Sequence, residues 1–416
     1  MYHIGSLEKI SRLINDYNIC PFCLARLLYE RNKGFLKFLK KLHAELVSKK
    51  LYSFNRNEPC YLCNGIMPAL PKTIHEIESK LESYNFKSFS FGTKIPEILY
   101  AREDFIRSKY SMSSGLSLKS YLNYMVSNYL SRKLGKVIDI NRPDLRIVYD
   151  FGNALLEITP SSVYIYGRYL KLKRGVRQTK QFCRLCYGLG CKACNYRGYT
   201  DDPSIEGYIL DLFRDEFFGE ASVLHAAGRE DIDVVTLNTG RPFVIEVKRP
   251  LKRSVDLMKI QDVLNSRNKG VVELKGLRYV DREIMEKINV FSKYDEKSYR
   301  LVVKFHNEID QLMLEKIEKE LSNRVIAQRT PLRVIYRRAD KIRYKTVYSL
   351  SSKLLDKQTV EFIIRCQGGL YIKELAHGDQ GRTNPSIFSI SKIPLEVISL
   401  DVISVAPELE KRLGLD

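Results

Sequence analysis

Apolar and polar positions divide the chain into stretches of different period. From Ile77 to Leu134 apolar residues recur mainly at the three-to-four-residue spacing of helices that face a core. The period then shortens to two, and Leu145–Phe151, Ala154–Thr159 and Ser162–Leu172 read as three short strands. Helices followed by strands predict an α+β module. From residue 206 onward strands and helices mix without the strict βαβ repetition of a doubly wound fold. Apolar runs at 232–237, 243–247, 299–305 and 359–366 predict a mixed, mainly antiparallel sheet with flanking helices. Ile309–Leu321 has the spacing and charge of an amphipathic surface helix. The first 60 or so residues alternate helical patterns with paired cysteines, and in Arg31–Lys50 apolar residues at helical spacing stand beside many lysines. Such a helix can dock on phosphates, and a solvated basic face accounts for it equally well.

Composition changes the picture in one direction. The 416 residues exceed one ordinary domain and imply two or three folded units. With 44% hydrophobic and 28% charged residues, the chain is neither disordered nor membrane-spanning in character. Lys and Arg number 69 against 49 Asp and Glu, a formal charge of +20, so the surface attracts polyanions, nucleic acid first among them. Membrane attachment has no lipidation motif or long apolar run behind it. Met1–Tyr17 lacks the pattern of a secretory signal, which implies a cytoplasmic location.

Eight of the nine cysteines form four CxxC pairs, which in a reducing compartment points to metal ligands rather than disulfides. Cys20 and Cys23 precede Cys60 and Cys63 across a 36-residue gap, the arrangement of two knuckles that share a structural zinc. Cys183, Cys186, Cys191 and Cys194 form a tighter set, with Gly188 and Gly190 easing the chain reversal between its pairs. Zinc is favoured there too, with an iron–sulfur cluster as the alternative. Cys366 lies in an apolar run and reads as core.

The stretch Ala226–Pro250 concentrates the chemistry. Arg229, Glu230, Asp231 and Asp233 precede a strand, and a turn at Asn238–Gly240 followed by a second strand predicts a hairpin. Asp233 with Glu246 and Lys248 has the D…ExK spacing of magnesium-dependent nucleases, a spacing that also arises often by chance. Downstream, seven Lys or Arg residues lie between Arg329 and Lys345, a density suited to an RNA backbone. Upstream, Arg168–Lys180 interleaves aromatic and basic residues, as RNA-binding surfaces do.

Gly228-Arg229-Glu230-Asp231 resembles the aspartate loop of pseudouridine synthases. Through Gly240-Arg241-Pro242-Phe243 the match is to one family, the archaeal tRNA pseudouridine 54/55 synthases of the pseudouridine synthase ten type. Lys297-Ser298-Tyr299-Arg300 resembles that family's second motif and Gly369-Leu370-Tyr371-Ile372-Lys373-Glu374 its third. Arg329-Thr330-Pro331-Leu332-Arg333 with Arg337-Arg338 is similar to its basic signature. The strands ending in Arg168-Tyr169-Leu170-Lys171-Leu172, followed by Lys173 and Arg174, look like the end of a THUMP-type RNA-binding module.

The resemblance implies four regions: a zinc-binding region at 1–70, a THUMP-like module at 71–180, a four-cysteine insert and linker at 181–205, and a synthase domain at 206–416. It implies Asp231 as the catalytic aspartate, Lys373 or Arg229 as its partner, and Tyr299 stacked on the target uracil, with Tyr371 and Ile372 also at the substrate. Arg168, Lys171, Lys173, Arg174, Arg329, Arg333, Arg337 and Arg338 are expected to hold RNA. The partner is tRNA, the THUMP-like module gripping its acceptor end, and the protein is expected to be a monomer. The isomerisation breaks C1′–N1, turns the base and rejoins it through C5, so no catalytic cofactor is expected. Two rival readings remain: the nuclease, and a non-catalytic zinc-containing RNA-binding protein.

Overall fold

The computed structural model describes residues 4–28, 54–112, 115–291 and 294–415. The basic helix expected at Arg31–Lys50 lies outside the described residues. The chain divides into two compact units, Met1–Ser161 with Leu251–Arg253, and Ser162–Pro250 with Ser254–Asp416. Among the described residues no helix is long and apolar enough to cross a membrane.

In the first unit, strands β1 (Ser88–Lys94), β2 (Val137–Ile138), β3 (Leu145–Asp150) and β4 (Leu155–Pro160) form a sheet in the order β2-β1-β3-β4. Strand β1 interrupts the stretch expected to be mainly helical: its alternating burial puts Phe89 and Phe91 into the core, and it pairs in parallel with β3 from Phe89↔Leu145 onward. The helix Leu118–Leu134 packs on this sheet. It starts at Ser117, whose side chain accepts from the Ser120 N–H, and stops at Gly135 in the left-handed conformation. The helix Pro21–Leu28 brings in Arg26, which is fully buried and lies 2.8 Å from Glu103 on the helix Glu97–Lys109. Glu103 also accepts from Arg107 and from the Leu118 N–H. Burial raises its pKa, and Arg26, the Leu118 N–H and Arg107 together more than offset this, so the carboxyl stays below its usual value.

The second unit holds a ten-stranded sheet built from β5 (Val163–Lys171), β6 (Ala221–Ala226), β7 (Val235–Lys248), β8 (Val272–Val280), β9 (Glu296–Phe305), β10 (Arg324–Arg329), β11 (Ile342–Leu354), β12 (Thr359–Gln367), β13 (Thr383–Asn384) and β14 (Leu395–Val405). Its order is β13-β10-β11-β12-β9-β14-β7-β5-β8, with β6 also on β7. Among the described residues of this sheet only the β14–β7 pairing is parallel, in agreement with the mixed, mainly antiparallel sheet read from the sequence. Strands β5 and β7 are covered on both faces. Ile165, Tyr169, Phe243, Ile245 and Val247 face one core with the helices Ile205–Glu216 and Leu257–Arg267, while Tyr166 and Val244 face a second core with Gln311–Leu321.

Two expectations are corrected here. Strand β5 does not end the first unit's module; it is buried almost throughout and sits between β7 and β8, so the unit boundary falls at Ser161/Ser162 rather than at 180. The hairpin with a turn at Asn238–Gly240 is also absent. Both flanks pair with β5, Thr236 with Lys171 and Arg241 with Tyr169, so residues 237–240 are an outward bulge in one continuous strand. Asn238 and Gly240 take left-handed backbone conformations, which is the turn signal in the sequence; the chain uses it to kink rather than to reverse.

The buried Arg26–Glu103 pair yields a stability prediction. Replacing Glu103 with Ala leaves a fully buried guanidinium uncompensated and is expected to cost about 3–5 kcal/mol. Urea denaturation of the two proteins measures it.

Candidate active site

The loop 227–234 between β6 and β7 has no regular structure, and its backbone carbonyls are held from below. Arg241 donates to the Ala227 carbonyl at 2.7 Å and Gln178 to that of Gly228 at 2.9 Å. The Lys171 ammonium, fully buried, donates to the carbonyls of Asp231 and Ile232 at 3.1 and 3.0 Å. Arg174 donates to the carbonyl of Asp233 at 2.6 Å. Glu230 points inward, 2.6 Å from Arg241 and accepting from the Tyr169 hydroxyl at 3.0 Å. Gly228 is required where it stands: its φ is +87°, and a Cβ there would lie 3.0 Å from the Lys297 ammonium.

The loop forms one wall of a cavity of about 420 Å³. Asp231 and Asp233 line it together with Arg229, Tyr299, Arg333, Leu370, Tyr371, Ile372 and Lys373. Asp231 lies 3.1 Å from Arg333, and 3.6 Å from Lys373. Lys373 is nearer to Asp233, at 2.8 Å, and this contact overcomes the burial that would raise the Asp233 carboxyl, holding it below its usual pKa. Arg333 is itself aimed by Glu374, a buried carboxylate 2.6 Å from its Nε. Tyr299 enters the cavity from β9, the strand that pairs with β12 and β14.

The structure therefore brings Asp231, Lys373, Tyr299, Tyr371 and Ile372 into one cavity. Arg229 lines the same cavity but forms no ion pair among the described residues. The cation nearest the Asp231 carboxylate is Arg333, read from the sequence as an RNA contact. Its basic surroundings pointed outward; the acid that draws it inward, Glu374, lies 41 residues away in sequence. Arg338 donates to the Tyr371 hydroxyl and Arg329 pairs with Asp340, both partly exposed. The side chain of Arg337 lies outside the described residues.

Two RNA-contact expectations are overturned. Arg168 is buried, with its guanidinium on Glu410 and on the carbonyls of Val405 and Ala406. Lys171 is buried under the loop. Neither faces solvent, because Glu410 and the loop carbonyls take up their charge inside the fold; only Lys173 and Arg174 of that group are exposed. A lysine closing the apolar strand Val163–Lys171 was the available signal. The nuclease constellation is not assembled: Glu246 accepts from Ser162 and lies 3.1 Å from His225, and it is not among the residues lining the cavity with Asp233.

Both cysteine sets cluster tightly enough to hold a metal ion. In the first, Cys20 and Cys63 sulfurs are 3.9 Å apart; in the second, Cys183–Cys191 is 3.9 Å and Cys186–Cys194 is 3.8 Å. A tetrahedral ion bound at about 2.3 Å from each sulfur gives separations of roughly 3.8 Å. Backbone N–H groups, that of Cys191 ahead of that of Gly198, pull the Cys194 thiol down to about 6, toward the thiolate a metal needs. Cys366 is buried core, as its apolar run implied.

Lys297 stands behind the loop, and burial, with Arg241 beside it, lowers its ammonium to about 8. Below that pH the amine is charged in both states and the fold bears the cost of burying it. Between about 8 and the ordinary value of 10.5 the unfolded chain binds the proton and the fold does not, so this group's contribution to stability rises with pH. Lys297→Met is expected to be more stable than the parent at pH 7 by about 3 kcal/mol, a lead that shrinks through that window. Chemical denaturation across pH 7–10.5 checks both parts.

Comparison with known proteins agrees with this architecture. The family model "Pus10, C-terminal" matches residues 164–406, and "Pus10 THUMP domain, archaeal" matches 74–150. The tRNA pseudouridine synthase Pus10 of Korarchaeum cryptofilum is 38% identical over 352 residues, 84% of this chain and 93% of that protein. That of Methanopyrus kandleri is 37% identical over 435 residues, 97% of this chain and 99% of that protein. Among solved structures the chain is similar to a Cbf5–Nop10–Gar1 complex at 13% identity and a TM-score of 0.29, over 60% of this chain and 66% of that one. With one family model spanning more than half the sequence and relatives this similar nearly end to end, the chain belongs to the Pus10 family of tRNA pseudouridine synthases.

Proposed function

We propose that the protein converts uridine to pseudouridine in the TΨC arm of tRNA, at position 54, 55 or both, with Asp231 as the carboxylate that acts on the sugar. The observation that carries this reading is Asp231 at the wall of a cavity sized for a nucleoside, on a braced loop and between two cations, Arg333 and Lys373. The glycosidic C1′–N1 bond breaks, the uracil turns, C1′ bonds to C5, and the proton lost from C5 is balanced by one gained at N1. Asp231 either attacks C1′ or removes the proton at C2′. Tyr299 offers a ring on which the detached base can stack while it turns. Arg333 and Lys373 fix the carboxylate's direction, and the basic residues around Arg329–Lys345 hold the RNA whose uridine is extruded. The THUMP unit grips the acceptor end of the tRNA.

Both cysteine sets hold zinc on this reading, Cys20, Cys23, Cys60 and Cys63 in one unit and Cys183, Cys186, Cys191 and Cys194 in the other. Zinc supplies folding stability and takes no part in the reaction.

The decisive experiment incubates the protein with unmodified tRNA in the presence of chelator that removes free magnesium, and reads pseudouridine by base-specific chemical mapping. Asp231→Asn is expected to lose at least a thousandfold in rate while tRNA affinity stays within about twofold, and Asp233→Asn to keep measurable turnover. Cleaved RNA on restoring magnesium, lost in Asp233→Asn, is the result that makes the protein a nuclease. Unchanged RNA with tight binding makes it a binding protein only. Lys171→Met, which removes the donor under Asp231 and fills its space, is expected to lower kcat by about 10–100-fold with KM little changed, measured by the same assay under steady-state conditions.

A further inference from the structure

The four-cysteine segment Gln181–Thr200 exposes an unusual set of side chains. Leu189 is 92% exposed, Tyr187 84%, Leu185 75% and Tyr196 70%. The segment cannot draw them inward. Its chain crosses itself at glycines whose Cβ positions are already occupied: at Gly190 a Cβ would lie 2.7 Å from the Tyr196 carbonyl oxygen, and at Gly198 2.4 Å from that of Gly188. The four sulfurs take the place of a core. Phe182 stacks on Tyr199 at the base, with ring centroids 5.2 Å apart, closing the two legs.

Those legs stand on the cavity. Arg177 and Gln178 line it, Arg177 bridges to Ser204, and the Thr200 N–H donates to the Gln181 carbonyl. Cys183 follows Gln178 by only a few residues, so the knuckle begins within about 17 Å of the cavity wall. Its free charge is positive: Arg184 and Lys192 are exposed, no acidic residue occurs between Gln181 and Thr200, and Arg197 pairs with Asp201 just beyond, at 2.7 Å. Aromatic rings interleaved with cations on a rigid base suit unpaired nucleotides, whose bases stack and whose phosphates pair. A second copy of a chain carrying +20 suits this surface poorly.

We propose that this knuckle is a separate RNA contact of the enzyme, in which Tyr187 and Tyr196 stack on unpaired bases of the substrate near the target uridine, and Arg184 and Lys192 hold the backbone beside them. The proposal rests on the RNA substrate of the reading above, and not on the identity of the catalytic residue.

The test uses the full metal-loaded chain and fluorescently labelled unmodified tRNA. The Tyr187→Ala/Tyr196→Ala double variant is expected to keep its metal content by elemental analysis and to bind about tenfold or more weakly, while the Phe pair restores binding. If the alanine pair loses metal, the Leu pair, which keeps bulk without a ring, is measured instead with the same expectation. An unchanged Kd in a metal-replete variant overturns the proposal. So does sedimentation showing that the wild type self-associates through this surface while tRNA affinity is indifferent to it. Because Kd is read apart from turnover, a protein that binds through the knuckle yet makes no pseudouridine refutes the function proposed above and leaves this contact standing.

Discussion

Beneath the loop that bears Asp231 lie a lysine and an arginine with almost no access to water, and the site depends on how their charge is used. A buried cation is expensive unless paired and hydrogen-bonded. Arg241 is balanced by Glu230 and also donates to the Ala227 carbonyl, while Lys171 donates to the carbonyls of Asp231 and Ile232. The irregular loop thus supplies acceptors that offset part of the cost of burying the two charges. Each of these donors comes from β5, β7 or the segment just after β5, so the loop inherits the rigidity of the central sheet. Burial pushes Lys171 below the ordinary lysine range, with Glu230 opposing that shift, as expected for a cation held by its setting rather than by solvent.

The reacting face uses charge differently. Asp231, Asp233, Arg333 and Lys373 are half-open to solvent, where single ion pairs are weak, and their order comes from neighbours that are closed. Glu374 is the clearest case: buried, it directs Arg333, and Arg333 reaches Asp231. A rigid floor and a hydrated, adjustable face suit a site that must admit a nucleotide and then hold one carboxylate still.

Much of this was legible in the sequence, for identifiable reasons. Strands β9 and β12 and the helix Gln311–Leu321 carry strong local periodicity, and the cysteine sets announce themselves by spacing. The cavity residues Asp231, Tyr299 and Lys373 came from motif order. Local pattern failed where long-range pairing decides. Strand β1 offers only seven residues of alternation inside a helical stretch, and its parallel partner is more than 50 residues away. Arg168 and Lys171 look like surface cations because nothing nearby in the chain balances them; Glu410 and the loop carbonyls do so only after folding. The Asn238–Gly240 signal was real, but whether such residues reverse a chain or bulge it depends on which strand their flanks find.

That bulge has a consequence for how the enzyme can fail. Strand β7 follows the Asp231 loop directly, pairs with the lysine-bearing strand on one side and with β14 on the other, and carries Arg241 just beyond the kink. A slip of one residue would turn every side chain of β7 to the opposite face, exchanging its contributions to the two cores and withdrawing Arg241 from the loop. Four residues that fit nowhere in the ladder act as a peg that forbids neighbouring alignments. A molecule whose β7 is misaligned therefore loses the packing of the second unit and the support of the Asp231 loop at one stroke.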